Sequence, residues 1–187
     1  MDQRDLVERA KRGDHDAFAA LAVDAIARLD AAARLILRDP ELARDGVQDG
    51  YIRAWRTLPA LRDPDRFDAW LRRLVVHSCI DIMRRRRRRG IEVELTPIDM
   101  PAGGDFTSTI ADRDQVEEAL RHLDPEFRAV VVMHYFLGMP LPEVASMLGI
   151  PVGTAKSRLH RSIQAMRLAV GTDEIPVAES IPGGQLA

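Results

Sequence analysis

Cysteine, lysine and aromatic residues are all scarce in this 187-residue chain. One cysteine, Cys79, excludes an internal disulfide framework and fits a reducing compartment. Only Lys11 and Lys156 accompany a large set of arginines, and arginine suits forked contacts to phosphate. No apolar run approaches the roughly 18 residues of a membrane span, and the stretch from Met1 to Arg12 is too charged for a secretory signal. The expectation is therefore a cytoplasmic protein with no membrane insertion. A hydrophobic share of 46% excludes a chain too polar to build a core. Net charge is almost absent too, at −2, and taken whole it argues against a nucleic-acid binder.

That near-neutral total hides segregation. Residues 51–90 carry a local charge of +8, residues 91–126 carry −8, and residues 151–170 carry +4 with no acid. Blocks of opposite sign suggest modules with separate partners.

The periodicity is helical almost throughout. A short polar helix over 3–12 breaks at Gly13, and Asp14 and Asp16 can cap a second helix that runs through Leu21, Ile26 and Leu35 to about Arg38. Asp39-Pro40 permits a restart into a third helix, which carries Val47, Ile52 and Trp55 and stops at Pro59. Residues 61–66 read as a loop, and a fourth helix follows from Phe67 to Arg88. Residues 91–111 contain Pro97, Pro101 and Gly103-Gly104 and read as an acidic flexible linker longer than loops inside compact domains usually are. Helical patterning resumes from Val116, with Asp124-Pro125-Glu126 as a helix start, and the tail 171–187 is expected to be disordered. The fold class is all-α: two small helical domains, 1–90 and 112–170, joined by a flexible linker.

Leu141 to Met166 is the most specific local pattern. Val144, Ala145 and Leu148 give one short helix an apolar face, Gly149 sits where a tight turn needs positive φ, and Ala155, Leu159, Ile163 and Met166 form the buried stripe of a second helix. The opposite face offers Thr154, Lys156, Ser157, Arg158, His160 and Arg161 without an acid, as a helix reading the major groove requires. An ordinary helical hairpin with a solvated basic face is the plainer alternative. This second domain thus contains a helix-turn-helix.

The two halves together resemble the extracytoplasmic-function (ECF) group of bacterial RNA polymerase sigma factors, within the sigma-70 family. Leu148-Gly149-Ile150-Pro151-Val152-Gly153-Thr154-Ala155-Lys156-Ser157-Arg158-Leu159-His160-Arg161 resembles region 4, with Ala155 where valine is usual. Asp45-Gly46-Val47-Gln48-Asp49, then Arg53-Ala54-Trp55, and Phe67-Asp68-Ala69-Trp70-Leu71 with Asp81 and the arginine run resemble region 2. The resemblance covers residues 5–170 and keeps the order of the motifs.

It implies a non-catalytic, cofactor-free transcription initiation factor whose partners are bacterial core RNA polymerase and promoter DNA. An anti-sigma factor is a further partner among many relatives, and the free chain is expected to be a monomer. Asp45, Val47, Gln48, Asp49, Ile52 and Arg53 are the implied core-polymerase contacts. Arg62, Asp63, Arg66, Phe67, Arg73, His77, Arg84 and Arg85 are the implied −10 element contacts, although Phe67 is open between core and DNA and Trp70 reads as core. Thr154, Lys156, Ser157, Arg158, His160 and Arg161 are the −35 element contacts. Gly46 and Gly50 depart from the larger residues usual in the group and are expected to weaken their helix by about 1 kcal/mol each. A stand-alone helix-turn-helix regulator with an N-terminal dimerisation or sensing module is the alternative function. A nucleic-acid enzyme is disfavoured, since no paired-carboxylate, nucleophile–base or phosphate-loop pattern occurs. His77 and Cys79 lack the second pair of ligands a metal site needs.

Overall fold

Capping chemistry sets most helix boundaries in the computed structural model, which describes residues 2–90 and 110–170. Helix α1 spans Gln3–Lys11 and ends before Gly13, whose φ of 95° turns the chain. Asp14 then accepts a bond from the Ala17 amide and opens α2, His15–Leu37. That helix closes on Arg38, a non-glycine residue in the left-handed region at φ 53°. Asp39 accepts from the amides of Glu41 and Leu42 at 3.1 and 3.0 Å, with Pro40 in the first turn, and starts α3, Pro40–Thr57. Tight turns at Leu58–Ala60 and Pro64–Arg66 lead into α4, Phe67–Arg88.

Helix α5 occupies Ile110–Arg121, so the helical pattern begins before Val116 and the linker reading over 91–111 is too long at its C-terminal end. The rest of that linker and the tail 171–187 lie outside the described residues. Helix α6, Pro125–Val131, continues into a wider π turn at Val132–Phe136, and α7 (Leu141–Leu148) and α8 (Val152–Val170) complete the chain. Asp124 precedes α6 without a side-chain capping bond. Among the described residues there is no strand, and no helix is long and apolar enough to cross a membrane.

Helices α3 and α4 pack most closely, and the two glycines explain how. A Cβ on Gly50 would lie 2.6 Å from the Val75 Cα, and one on Gly46 would lie 3.0 Å from the Cys79 Sγ. Both glycines therefore serve helix contact, which corrects the view of them as mere weaknesses of α3. Phe67, Leu71, Val75 and Ile80 fill the space beneath α4. Phe67 is 0% exposed and meets Phe18 edge-on at 6.3 Å, whereas Trp70 is only half-buried. Phe67, open between core and DNA by sequence, is the enclosed ring, and Trp70 packs on the core with part of its surface exposed.

Around α5 to α8, Ala129, Val130, Met133, Leu137 and Met139 form the buried centre. It is continuous with the first core, because α2 also packs on α6 and the π turn. Arg128, 3% exposed, crosses this contact and donates from Nη2 to the Ile36 carbonyl at 3.1 Å. Burial, then repulsion from Arg38, pulls its guanidinium down to about 10, which leaves it protonated at neutral pH.

Candidate nucleic-acid interface

The turn between α7 and α8 follows from its residues. Gly149 caps α7 at φ 64°, and the Ile150 amide reaches back to the Ala145 carbonyl at 3.0 Å. Ala145 and Ala155, at 1% and 0% exposure, are small where the two helices meet. With Ala155, Leu159 and Met166 turned inward, Lys156, Ser157, His160 and Arg161 are exposed on the outer face of α8. Thr154 is half-buried, and its carbonyl accepts the Ser157 hydroxyl at 3.0 Å. Arg161 lies over the Phe127 ring, 5.4 Å from its centre.

Arg158 departs from the expected face. Its guanidinium turns in to Glu126 at 2.8 Å and also lies 5.8 Å from the Phe127 ring centre. In this arrangement Arg158 is held in an ion pair with Glu126 rather than projecting from the outer face.

The first half presents a second basic surface along α4 and the turn before it. Arg62, Asp63, Arg66, His77 and Arg85 are exposed. Asp63 accepts from the Asp65 amide at 3.1 Å and pairs with Arg66 at 3.3 Å, which shapes the turn. Phe67 lies wholly inside, so its assignment to DNA is corrected to a core role; the ring that retains a surface edge is Trp70. Arg73 and Arg84 do not stand free, since Arg73 meets Glu143 at 2.7 Å and Arg84 donates to the Leu148 carbonyl at 2.7 Å. Exposed His77 and buried Cys79 face different surroundings on one helix.

Helix α3 carries a surface of another kind. Asp45, Gln48, Asp49 and Ile52 are exposed, Arg53 is half-buried and 3.7 Å from Asp81, and Val47 is only 8% exposed. Val47 therefore floors a groove rather than projecting from it. Phe18, Ile26, Gln48, Ile52 and Trp55 line that groove with Val47, and Trp55 stacks on His15 at 4.2 Å. Ile26 is 49% exposed in it, and Val23, also on α2, is 65% exposed. By sequence, Ile26 counts only as part of the helical pattern of α2, and Val23 is not singled out. The alanine-rich α2 is apolar on nearly every side, so its pattern does not separate an inner from an outer face.

A helix-turn-helix with a basic outer helix, coupled to a helical unit with an arginine-rich edge and an apolar groove, defines a DNA-binding transcription factor with a protein partner. Two family models match: sigma-70 region 2 over residues 24–89 and sigma-70 region 4 over residues 113–166. The chain is 33% identical to the RNA polymerase sigma-E factor of Streptomyces coelicolor over 135 residues, which is 72% of this chain and 75% of that one. It is 34% identical to the ECF RNA polymerase sigma factor SigE of Mycolicibacterium smegmatis over 132 residues, or 67% of this chain, and spans half the length of that relative. Among solved structures, CnrH in complex with the cytosolic domain of CnrY is similar at a TM-score of 0.60 and 28% identity, covering 92% of this chain and 100% of that one. The chain belongs to the ECF group of bacterial RNA polymerase sigma factors, the subunits that give transcription initiation its promoter specificity.

Proposed function

We propose that residues 1–90 bind core RNA polymerase and engage the −10 element, that residues 112–170 read the −35 element, and that residues 91–111 connect them. The observation that carries this reading is the presence, in one chain, of a groove with exposed Ile26 and Ile52 and of a helix-turn-helix whose outer face shows Lys156, Ser157, His160 and Arg161.

The chemistry divides accordingly. On α3, Ile52 supplies apolar contact, while Asp45, Gln48 and Asp49 offer carboxylates and an amide to a basic partner helix. On α8, Arg161 can bond guanine edges in the major groove, Ser157 and His160 can reach bases or phosphates, and Lys156 supplies a phosphate contact. On α4 and its leading turn, Arg62, Arg66 and Arg85 attract the strand backbone, and Trp70 and His77 present rings near bases leaving the stack. Asp63 holds the turn and gives an acceptor for a base edge. The chain performs no catalysis, because nucleotide addition is the polymerase's chemistry, and it acts in the cytoplasm where polymerase and promoter meet. An anti-sigma partner would silence it by covering the α3 groove or the basic faces.

Ile52→Asp places a charge in the groove without touching either DNA surface. Its affinity for core polymerase is expected to fall about tenfold, a loss of about 1.4 kcal/mol. Titration of labelled chain into core polymerase measures this, and unchanged affinity would remove α3 from the polymerase interface.

A further inference from the structure

Two arginines of α8 flank one aromatic ring, and their surroundings differ. Phe127 stands half-buried in the first turn of α6, with its backbone tied to α8. The buried Ser162 hydroxyl makes that tie, donating to the Arg158 carbonyl at 2.8 Å and lying 3.4 Å from the Phe127 carbonyl. Arg158 and Arg161 place their guanidinium carbons 5.8 and 5.4 Å from the centre of the Phe127 ring. Arg158 is drawn on to Glu126 at 2.8 Å and keeps only 19% of its side-chain surface. Arg161 is exposed and meets no carboxylate among the described residues. Its Nε reaches the Ser157 carbonyl in a long contact of 3.4 Å, and its two terminal nitrogens have no protein acceptor among the described residues.

We propose that Phe127 is a positioning residue for promoter reading: its ring is a shelf that holds the Arg161 guanidinium at the outer face of α8, ready to fork onto a base edge. This rests on the reading of α8 as the helix that contacts the −35 element. An arginine on an open helix surface has many rotamers to lose before it can make two parallel bonds to a guanine. A ring beneath the guanidinium removes part of that loss in advance. The attraction is electrostatic, between the cation and the negative face of the ring, so it needs an aromatic residue and not merely an apolar one. It also leaves the N–H donors of the fork available to a base, whereas the Glu126 carboxylate takes up a donor of Arg158. Glu126 and Phe127, adjacent on α6, therefore sort the two arginines, and Arg161 is the reader. His160 has a different support, since it pairs with Gln164 at 3.0 Å one turn along α8. Base contacts made by His160 do not depend on Phe127.

The test compares holoenzymes on a promoter library randomised through the −35 element, with transcripts sequenced to give the base preference at each position. The position owed to Arg161 is the one whose preference vanishes in Arg161→Ala. Phe127→Leu keeps an apolar side chain on α6 and removes the ring face. It should lower the preference at that position about threefold, the scale of one exposed cation–π contact, and leave the other positions as they were. Phe127→Tyr should retain the preference. In an Arg161→Ala background, Phe127→Leu should change nothing further. Without DNA, the Arg161 Nε proton of the full chain should resonate upfield of that of exposed Arg62, under the ring current of Phe127, and move back in Phe127→Leu. An unchanged preference in Phe127→Leu, an equal loss in Phe127→Tyr, an equal loss at every position, a further loss without Arg161, or an unmoved proton overturns the shelf and leaves the −35 reading of α8 standing. If Arg161→Ala alters no base preference, that reading of Arg161 falls and the shelf falls with it.

Discussion

Phe67→Ala unfolds helices α1–α4 at temperatures where the parent chain is folded, with a loss of about 3–5 kcal/mol. The ring is 0% exposed, is met edge-on by Phe18 at 6.3 Å, and has Trp70 at 5.9 Å. Removing it deletes buried apolar surface and leaves a cavity that two flanking rings cannot fill without moving. A loss of that size is a large fraction of the stability of a small domain. Thermal melting followed by circular dichroism measures it. Phe67→Leu keeps an apolar side chain in place and separates a core role from a DNA-contacting one. It is expected to melt earlier than the parent yet initiate at the parental rate in holoenzyme at about 25 °C. Full stability with failed promoter opening would return Phe67 to the DNA interface.

Gly50→Ala is the second severe change, although alanine is the better helix former by about 1 kcal/mol. The added Cβ would sit 2.6 Å from both the Cα and Cγ2 of Val75 and 3.0 Å from its backbone nitrogen. The obstacle includes backbone, so α3 and α4 must separate. Overpacking of this kind costs about 1–3 kcal/mol or more; a backbone obstacle puts Gly50 at the upper end, and a net loss near 2 kcal/mol remains after the propensity gain. Each kcal/mol lowers the midpoint by about 4–8 °C in a domain of this size. Gly46→Ala meets the Cys79 sulfur at 3.0 Å and the tip of Ile82 at 3.3 Å, groups that can yield, and should lose clearly less. Equal melting of the two variants would contradict this account of the α3–α4 contact.

These two residues also show where sequence was informative and where it stopped. Local chemistry was legible: Asp14 and Asp39 cap where their side chains can reach free amides, Gly149 turns where positive φ is needed, and α4 runs from Phe67 to Arg88 as the apolar spacing demands. The buried stripe of α8 and its basic outer face were legible for the same reason, since period and polarity are properties of one helix. What depends on a second segment was not. Gly50 is weak within α3 and necessary only because Val75 approaches it. Phe67 and Trp70 sit three residues apart on one face, and Phe18 from α2 decides which of them is enclosed. Arg158 belongs to the basic face by spacing, yet Glu126, far away in sequence, draws it inward. The opposing charge blocks were visible as composition, and the structure joins some of them as ion pairs.

Promoter-dependent initiation is the most direct measure of the whole account. Core RNA polymerase supplied with the chain and a promoter library should yield run-off transcripts from defined start sites. The same reaction with Lys156→Ala/Arg161→Ala should lose at least tenfold of that output, given about 1–3 kcal/mol for a bidentate base contact, while core binding stays intact. Absence of any promoter-specific transcript, or specific promoter binding by the chain alone as tight as by the holoenzyme, would contradict it.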